Sequence, residues 1–388
     1  MTLMTLNKTL CLIVLAAAIT GQLSAQTPTS LKFSNQSVNF RVSEFSSVTH
    51  TQTFTATERI GIDNTGLKAT ISQPWVSPQF TCVMSGSTIL TICAITVDSA
   101  FLGAGTYQAT LTVEGADNGP QTIAVQFIVD SAPAGVPTFG AVVNAADYYR
   151  FGPLITGEIV SIFGVNLGPI RGVAFDGSLS SAPTSLAGTR VLFNGVAAPL
   201  IYVQDRQINA VIPTPTALPA QVQVEFQNVL SSIFTAGSAS AAYAPGIFTL
   251  DFSGTGQAVI LNQDGTLNTV STPAPRGSKI SIYATGLGQT NPPIMDGKIA
   301  TAPAAVLAEV SVYFSTDQFF PTFPSPSVTY AGLAPGSVGV YRVDAVVPLD
   351  LPAGSAPLRL RLPGGLCVGS PFFCSAGTSS NIVGIAVR

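Results

Sequence analysis

Apolar and polar residues alternate in steps of two along most of this chain, as in residues 123–127 (IAVQF), 221–226 (QVQVEF) and 358–362 (LRLRL). Because successive side chains of a strand point to opposite faces, this period predicts strands with one buried face and one wet face. Asn194 and Gly195 stand between two such runs and are typical of a tight hairpin turn. No convincing amphipathic helix interrupts the pattern, so the sequence predicts an all-β fold.

An internal repeat divides the second half of the chain. Residues 157–168 (GEIVSIFGVNLG) align without a gap on residues 277–288 (GSKISIYATGLG), and residues 208–213 (INAVIP) align on residues 343–348 (VDAVVP). The offset grows between the two matches, so the second copy carries an insertion. Two copies of a β unit of this length predict two tandem sandwiches, and a single closed barrel fits poorly.

The small, Pro-containing segment 131–138 predicts a linker that separates an earlier β unit from the repeats. We therefore expect three tandem immunoglobulin-like β-sandwiches. Their predicted limits are 31–130 for the first sandwich, 139–247 for the second, and 248–388 for the third with its inserted loops.

Residues 1–25 have the pattern of a secretory signal peptide. Lys8 is the basic residue, residues 10–19 (LCLIVLAAAI) are apolar, and Ser24 and Ala25 form a small-residue cleavage site. The apolar run is shorter than the roughly 20 residues that a membrane span needs. A buried N-terminal helix is the weaker alternative. The sequence thus predicts export to the cell surface or the medium, with the periplasm possible, and no membrane span in the mature chain.

Four cysteines remain in the mature chain, as two pairs that are close in sequence. Cys82 and Cys93 flank one turn-rich segment, and Cys367 and Cys374 flank another. In an oxidising compartment such pairs predict two disulfides that each close a hairpin. Zinc is the poorer interpretation because neither pair has ligand spacing and no histidine lies nearby.

Charged residues make up only 9% of the chain, against roughly 25% in an ordinary domain. The net charge is −3, so the basic surface that nucleic-acid binding requires is missing. The one histidine, His50, lies in an alternating polar stretch and is expected on a surface strand. A Ser-His-Asp or Cys-His mechanism needs such a proton carrier near its nucleophile, and no Gly-x-Ser-x-Gly elbow occurs.

Acidic residues offer no candidate pair for glycoside hydrolysis, and the sequence does not exclude one. The repeated acid Asp344 corresponds to the amide Asn209, so a backbone hydrogen bond explains that position better than acid catalysis. Residues 262–268 (NQDGTLN) carry alternating oxygen groups, but a hairpin turn is preferred over a calcium site. The sequence therefore predicts no enzyme, no metal and no cofactor.

Exposed aromatic residues beside hydroxyl and amide groups are typical of carbohydrate binding. Trp75 is a candidate, although core or interdomain packing is the preferred interpretation. Tyr148 and Tyr149 are a second candidate, either as a platform or as an interdomain contact.

The insertion in the second repeat, residues 315–327, carries Phe319, Phe320 and Phe323. Folding back over the sandwich edge is the preferred interpretation of these rings, and a contact surface for a partner is the alternative. A further phenylalanine pair lies in the loop 367–374. Strand counting places the two loops at opposite ends of the sandwich, so they are not expected to form one site.

Several segments also carry a family resemblance: GEIVSIFGVNLGP, PTSLAGTRVLFNGVAAPLIYV, QINAVIP, APGIFTL, GTGQAVILNQDGTLN, PAPRGSKISIYATGLGQT and IVGIAVR. From residue 142 onward the chain resembles an acidobacterial (Solibacter-type) secreted C-terminal domain family, and each repeat is similar to the IPT/TIG immunoglobulin-like fold. Residues 31–130 more weakly resemble BACON-type domains, through residues 74–76 (PWV) and 105–113 (GTYQATLTV). The resemblance to the acidobacterial family implies export and a β architecture, with no established biochemical activity. The resemblance to BACON-type and TIG-type domains implies an accessory or adhesive module, of a kind often suggested to meet carbohydrate.

The sequence as a whole predicts an exported, non-catalytic interaction protein that binds carbohydrate or extracellular matrix, with a polysaccharide or cell-envelope component as partner. One alternative is a passive structural spacer or a self-associating surface stalk, held by strand edges. A hydrolase is the remote alternative.

Overall fold

The computed structural model describes residues 31–34, 36–44, 50–58, 68–73, 76–85, 88–97, 102–114, 119–149, 153–214, 216–237, 242–314, 323–325, 327–363 and 378–388. Every regular element in these ranges is a strand, which confirms the prediction of an all-β fold. The predicted signal peptide, 1–25, lies outside them. No helix in the described ranges is long and apolar enough to cross a membrane. The chain forms two compact units that divide between Ala132 and Pro133, inside the segment predicted as a linker.

The first unit is a pair of four-stranded sheets with an apolar core between them. Its strands are β1 (Leu31–Phe33), β2 (Ser37–Ser43), β3 (His50–Glu58), β4 (Lys68–Ile71), β5 (Val76–Ser85), β6 (Thr88–Val97), β7 (Gly105–Glu114) and β8 (Gln121–Asp130). The sheet orders are β1-β3-β6-β5 and β2-β8-β7-β4, and β2 runs parallel to β8. From Ala109 in β7 and from Ile123 in β8 every second residue is buried, including Leu111 and Phe127, as the alternation predicts.

Three of the candidate residues of this unit lie on its strands. His50 opens β3 and pairs with Val97 of β6. In the β5–β6 hairpin, Cys82 pairs with Thr91 and Cys93 pairs with Phe80. The side chains of His50, Cys82 and Cys93 lie outside the described part of the structure, as does Trp75.

The second unit begins with a sandwich of two five-stranded sheets. Its strands are β9 (Thr138–Asn144), β10 (Ile159–Val165), β11 (Val173–Ala174), β12 (Thr189–Phe193), β13 (Val196–Ala197), β14 (Leu200–Val203), β15 (Gln207–Val211), β16 (Ala220–Phe226), β17 (Val229–Leu230) and β18 (Phe234–Ala236). The sheets are β11-β14-β15-β10-β9 and β13-β12-β16-β17, with β18 also on β16. Asn194 and Gly195 join β12 to β13 with φ of 50° and 82°, the two positive values of a type I′ turn.

The rest of the second unit is a sandwich of a seven-stranded and a four-stranded sheet. Its strands are β19 (Gly246–Ile247), β20 (Ile260–Asn262), β21 (Lys279–Thr285), β22 (Thr290–Asn291), β23 (Ala304–Val306), β24 (Ser311–Phe314), β25 (Phe323–Pro324), β26 (Val328–Leu333), β27 (Tyr341–Val346), β28 (Gly354–Arg361) and β29 (Val383–Val387). The orders are β19-β21-β27-β26-β23-β22, with β20 on β21, and β25-β24-β28-β29.

The sequence repeat is a structural repeat. Strands β10 and β21 occupy equivalent places, since each lies next to the strand that carries the second repeated motif, β15 and β27 respectively. Ser161 donates a hydrogen bond to Asn209 at 3.0 Å, and the equivalent Ser281 donates one to Asp344 at 2.8 Å. Asn209 and Asp344 therefore both accept from a serine hydroxyl on the neighbouring strand, whereas the sequence predicts a hydrogen bond to the backbone.

The two sandwiches of the second unit share an apolar contact and a set of buried hydrogen bonds. Ile159, Val211 and Val338 pack in one buried cluster that draws on both sandwiches. The Ile159 amide donates to the Thr285 hydroxyl at 2.9 Å, and that hydroxyl donates to the Gly339 carbonyl at 3.1 Å. The segment after β9 and the loop after β19 also meet in this unit, since Gly254 lies against the Asp147 carbonyl.

Candidate functional site

An open groove of about 860 Å³ lies where the segment after β9 and the loop after β19 meet the sheet β25-β24-β28-β29. The segment after β9 contributes Asp147 and Tyr149, and the loop after β19 contributes Gly254 and Thr255. The remaining lining comes from β28, from β29 and from the residues before β29: Ser355, Ala356, Pro357, Ser379, Ser380, Asn381, Ile382, Val383 and Gly384.

The two adjacent tyrosines have different environments. Tyr148 has a left-handed φ of 55°, and its ring lies 6.0 Å from that of Phe163, centroid to centroid. Tyr149 is 61% exposed and lines the groove, and its amide donates to Asp147 Oδ1 at 2.8 Å. The turn at Tyr148 therefore packs one ring against the sandwich and presents the other to the groove.

The loop 251–256 lies directly on the segment that carries the tyrosines. A Cβ atom at Gly254 would be 2.6 Å from the Asp147 carbonyl oxygen, and Gly254 has a φ of 75°, so glycine is required on both grounds. The Asn381 side chain accepts from the Ile247 amide at 2.8 Å and donates to the Gly254 carbonyl at 2.8 Å. Asn381 thereby fixes the loop that forms one wall of the groove.

Hydroxyl groups line the floor and rim of the groove. Thr255, Ser355 and Ser379 are exposed. Ser380 is buried, where its hydroxyl accepts from the Leu360 amide at 2.9 Å and donates to the Asn381 carbonyl at 2.8 Å. The exposed hydroxyls are thus available to a ligand, whereas Ser380 holds the backbone in place.

Two carboxyl groups at this junction have raised pKa values. Burial raises the pKa of Asp147 to about 6, against the opposing hydrogen bond from the Tyr149 amide. Glu158 is fully buried; its Oε2 accepts from the Ile155 amide at 3.2 Å, and its Oε1 has no hydrogen-bond partner among the described residues. Burial, and then the nearby charge of Asp147, hold the pKa of Glu158 well above its usual range.

Sequence reasoning missed Asp147, Glu158 and Phe252, the last of which is 76% exposed in the loop 251–256. A signal for Glu158 was present: a charged residue opens an apolar strand, and the aligned residue of the second repeat is Ser278. Local sequence carried no comparable signal for Phe252.

The other candidate binding residues are not brought to this groove by the described structure. Phe319 and Phe320 lie outside the described residues, and so does the prediction about the two phenylalanine loops. Cys367 and Cys374, predicted to form a disulfide, also lie outside them. Phe323 pairs with Phe314 through the backbone of β25, and its side chain also lies outside.

Metal binding finds no support in the described ranges, which contain no group of three potential ligand side chains among His, Cys, Asp and Glu. In the segment 262–268, Asp264 Oδ1 accepts from the amide and the hydroxyl of Thr266, at 3.0 and 2.6 Å. Asn268 is buried and bonds to the backbone of Ala386. These oxygens serve the hairpin, as the preferred interpretation of this segment has it.

The fold and the groove define an all-β protein of paired sheets in which the exposed Tyr149 lines a groove together with hydroxyl groups. No family model matches the chain, and no curated protein matches it. Among solved structures it is similar to the Bacteroides ovatus mixed-linkage glucan utilization locus SGBP-B in complex with a mixed-linkage heptasaccharide, with 11% identity, a TM-score of 0.27, and coverage of 96% of this chain and 69% of that one.

Two further solved structures extend the comparison. The Bacteroides ovatus GH5 xyloglucanase in complex with a XXXG heptasaccharide is 17% identical with a TM-score of 0.19, and the match covers 40% of this chain and 32% of that one. The I9–I11 tandem from titin is 10% identical with a TM-score of 0.17, and the match covers 92% of this chain and all of that one (100%). With TM-scores this low, these likenesses carry no argument about function, which has to come from the groove.

Proposed function

We propose that this chain is an exported, non-catalytic protein that binds carbohydrate, as a polysaccharide or cell-envelope glycan, in the groove at Tyr149. The observation that carries the proposal is Tyr149, an aromatic residue that is 61% exposed and lines a groove with three exposed hydroxyl residues. An aromatic face packs on the apolar face of a sugar ring, and hydroxyl groups exchange hydrogen bonds with the sugar hydroxyls. The low charge of the chain suits a neutral ligand.

The carboxyl groups of this junction favour binding over hydrolysis. A glycosidase needs two carboxyl groups, roughly 5–10 Å apart, on either side of the bond that it cleaves. Among the described residues that line the groove, Asp147 is the one acidic residue, and Glu158 has no exposed surface through which a substrate could reach it. The described part of the groove therefore offers a surface for retention without a second acid.

We expect Tyr149→Ala to weaken binding to the polysaccharide that retains the wild-type chain by about five- to tenfold, since a stacking contact contributes roughly 0.5–1.5 kcal/mol beyond area burial. Tyr149→Phe keeps the ring and should bind as the wild type does. The measurement is affinity electrophoresis and pull-down of the full chain on a panel of insoluble and soluble polysaccharides.

Val270→Ala is the matched control, because Val270 is 86% exposed and does not line the groove. Equal losses for Tyr149→Ala and Val270→Ala would contradict the assignment of the groove. Failure of the wild-type chain to bind any glycan, together with self-association at rising concentration, would favour the structural stalk. Release of soluble sugar that stops in Asp147→Asn would favour a hydrolase.

A further inference from the structure

A second exposed aromatic residue, Phe252, lies on the loop 251–256, three residues before Thr255, which lines the groove. Phe252 is 76% exposed and has a φ of 54°. A bulky residue is uncommon in the left-handed region, and such conformations persist where the surrounding structure imposes them and concentrate at ligand-binding sites. The position therefore combines an exposed ring with a costly backbone conformation.

The loop imposes this conformation through a compact set of hydrogen bonds. Asp251 Oδ1 accepts from the amide and the hydroxyl of Ser253, at 3.1 and 2.8 Å. The Ser253 hydroxyl accepts from the Thr255 amide at 3.1 Å and from the Gly256 amide at 3.0 Å. Phe252 thus lies on a turn held by hydrogen bonds, which limits the backbone entropy that the loop would lose on contact with a ligand.

Phe252 and Tyr149 flank the same backbone contact. Gly254 lies against the Asp147 carbonyl, Phe252 is two residues from Gly254, and Tyr149 is two residues from Asp147. Two residues span at most about 7 Å, so the Cα atoms of both aromatic residues lie close to the point where the two segments touch. Thr255, three residues after Phe252, lines the groove together with Tyr149.

We infer that Phe252 is a second stacking site on the carbohydrate track of Tyr149, so that the groove takes a chain of several sugars and discriminates against mono- and disaccharides. This inference rests on the proposed function. One sugar ring packs on Tyr149, another packs on Phe252, and the rings between them cross the contact of Asp147 with Gly254. A ligand that reaches only one aromatic ring gains only one of the two stacking contacts.

The test is to measure by calorimetry the affinity of the full chain for glucan, xylan and mannan fragments of increasing length, from disaccharide to octasaccharide. Phe252→Ala should lower the affinity for the octasaccharide about five- to tenfold and leave the disaccharide unchanged, whereas Tyr149→Ala should lower the affinity at both lengths. Phe252→Trp keeps an aromatic face and should retain the octasaccharide.

A thermal melt separates binding from folding. Phe252→Gly removes the left-handed strain and the exposed ring together, so it should melt at an equal or higher temperature while it loses the octasaccharide. If Phe252→Ala binds the octasaccharide like the wild type while Tyr149→Ala is weakened, the second site is wrong and the proposed function stands. If the wild-type chain binds no fragment and no polymer, the proposed function fails and the second site fails with it.

Discussion

Replacing Asn144 with alanine is expected to lower the free energy of unfolding of the second unit by about 2–4 kcal/mol, because it strips two buried backbone groups of their partner. Asn144 is 4% exposed at the end of β9. Its Nδ2 donates to the Ala244 carbonyl at 2.8 Å, and its Oδ1 accepts from the Ala146 amide at 2.9 Å. The first bond joins the two sandwiches, and the second shapes the turn that leads to Tyr149.

Glycine backbone packs closely around the Asn144 side chain. A Cβ atom at Gly246 would lie 2.4 Å from Asn144 Oδ1, and one at Gly286 would lie 1.9 Å from the Ala244 carbonyl. The amide side chain therefore fills a space walled by glycine backbone. A buried polar group that loses its hydrogen-bond partner costs roughly 1–3 kcal/mol of stability, whereas an exposed polar group bonds to water instead and costs little.

Asn194→Ala is the matched control for this prediction. Asn194 also bonds the backbone twice, to the Ala217 carbonyl at 2.9 Å and from the Gln221 amide at 2.8 Å, but it is exposed. Hydrogen exchange in β9 and β19, followed at increasing denaturant, would give the free energy of unfolding of the second unit for each of the two variants. Equal losses in the two variants, although Asn194→Ala also loses a residue suited to its left-handed φ of 50°, would show that burial of the Asn144 amide is not decisive.

The architecture of this protein follows from local patterns, which is why sequence reasoning found it. Alternation with period two fixes the faces of strands such as β8, and the Asn194–Gly195 pair fixes a turn through its own φ preferences. The repeat places β10 and β21 because two copies of one sequence adopt one structure. None of these steps requires knowledge of distant contacts.

The groove depends on contacts between residues far apart in the chain, so sequence reasoning found it only in part. Tyr149 was a candidate, but the choice between a packed and a presented ring is made by the φ of Tyr148. Phe252 becomes relevant only because Gly254 docks on Asp147, more than a hundred residues earlier. The sequence marks Glu158 as a charged residue next to an apolar strand, but its burial results from the meeting of the two sandwiches, which local sequence does not show.

The buried acid at that junction leads to the last prediction, which concerns pH. Glu158 has a folded-state pKa well above the ordinary value, and Asp147 has one of about 6, because burial disfavours both charged forms. The native state therefore keeps protons that the unfolded chain has already released. Stability contributed by these groups is complete below about pH 4 and is lost as the pH rises through 6 and beyond.

Glu158→Gln should abolish most of this loss, because glutamine mimics the protonated acid and never carries the charge. We expect the variant to match the wild type near pH 5 and to exceed it by about 1–3 kcal/mol at pH 8, because each pH unit over which the native carboxyl keeps a proton that the unfolded chain has released costs about 1.4 kcal/mol. The measurement is the free energy of unfolding in urea across this pH range. The Oε2 position, which accepts from the Ile155 amide, is retained in the amide oxygen.

Two further variants isolate the contribution of Glu158. Asp147→Asn should remove only the part of the pH dependence of stability that ends near pH 6, because the folded-state pKa of Asp147 is lower than that of Glu158. Glu225→Gln changes a glutamate in a surface ion pair with Arg190, 3.2 Å apart, and should leave the slope intact. A wild-type chain equally stable at pH 5 and pH 8 would contradict the prediction. If Glu158→Gln were destabilised by the same amount at pH 5 and at pH 8, the carboxyl would be charged in the native state at both pH values. That result would contradict the raised pKa of Glu158 and would require a hydrogen-bond partner for its Oε1.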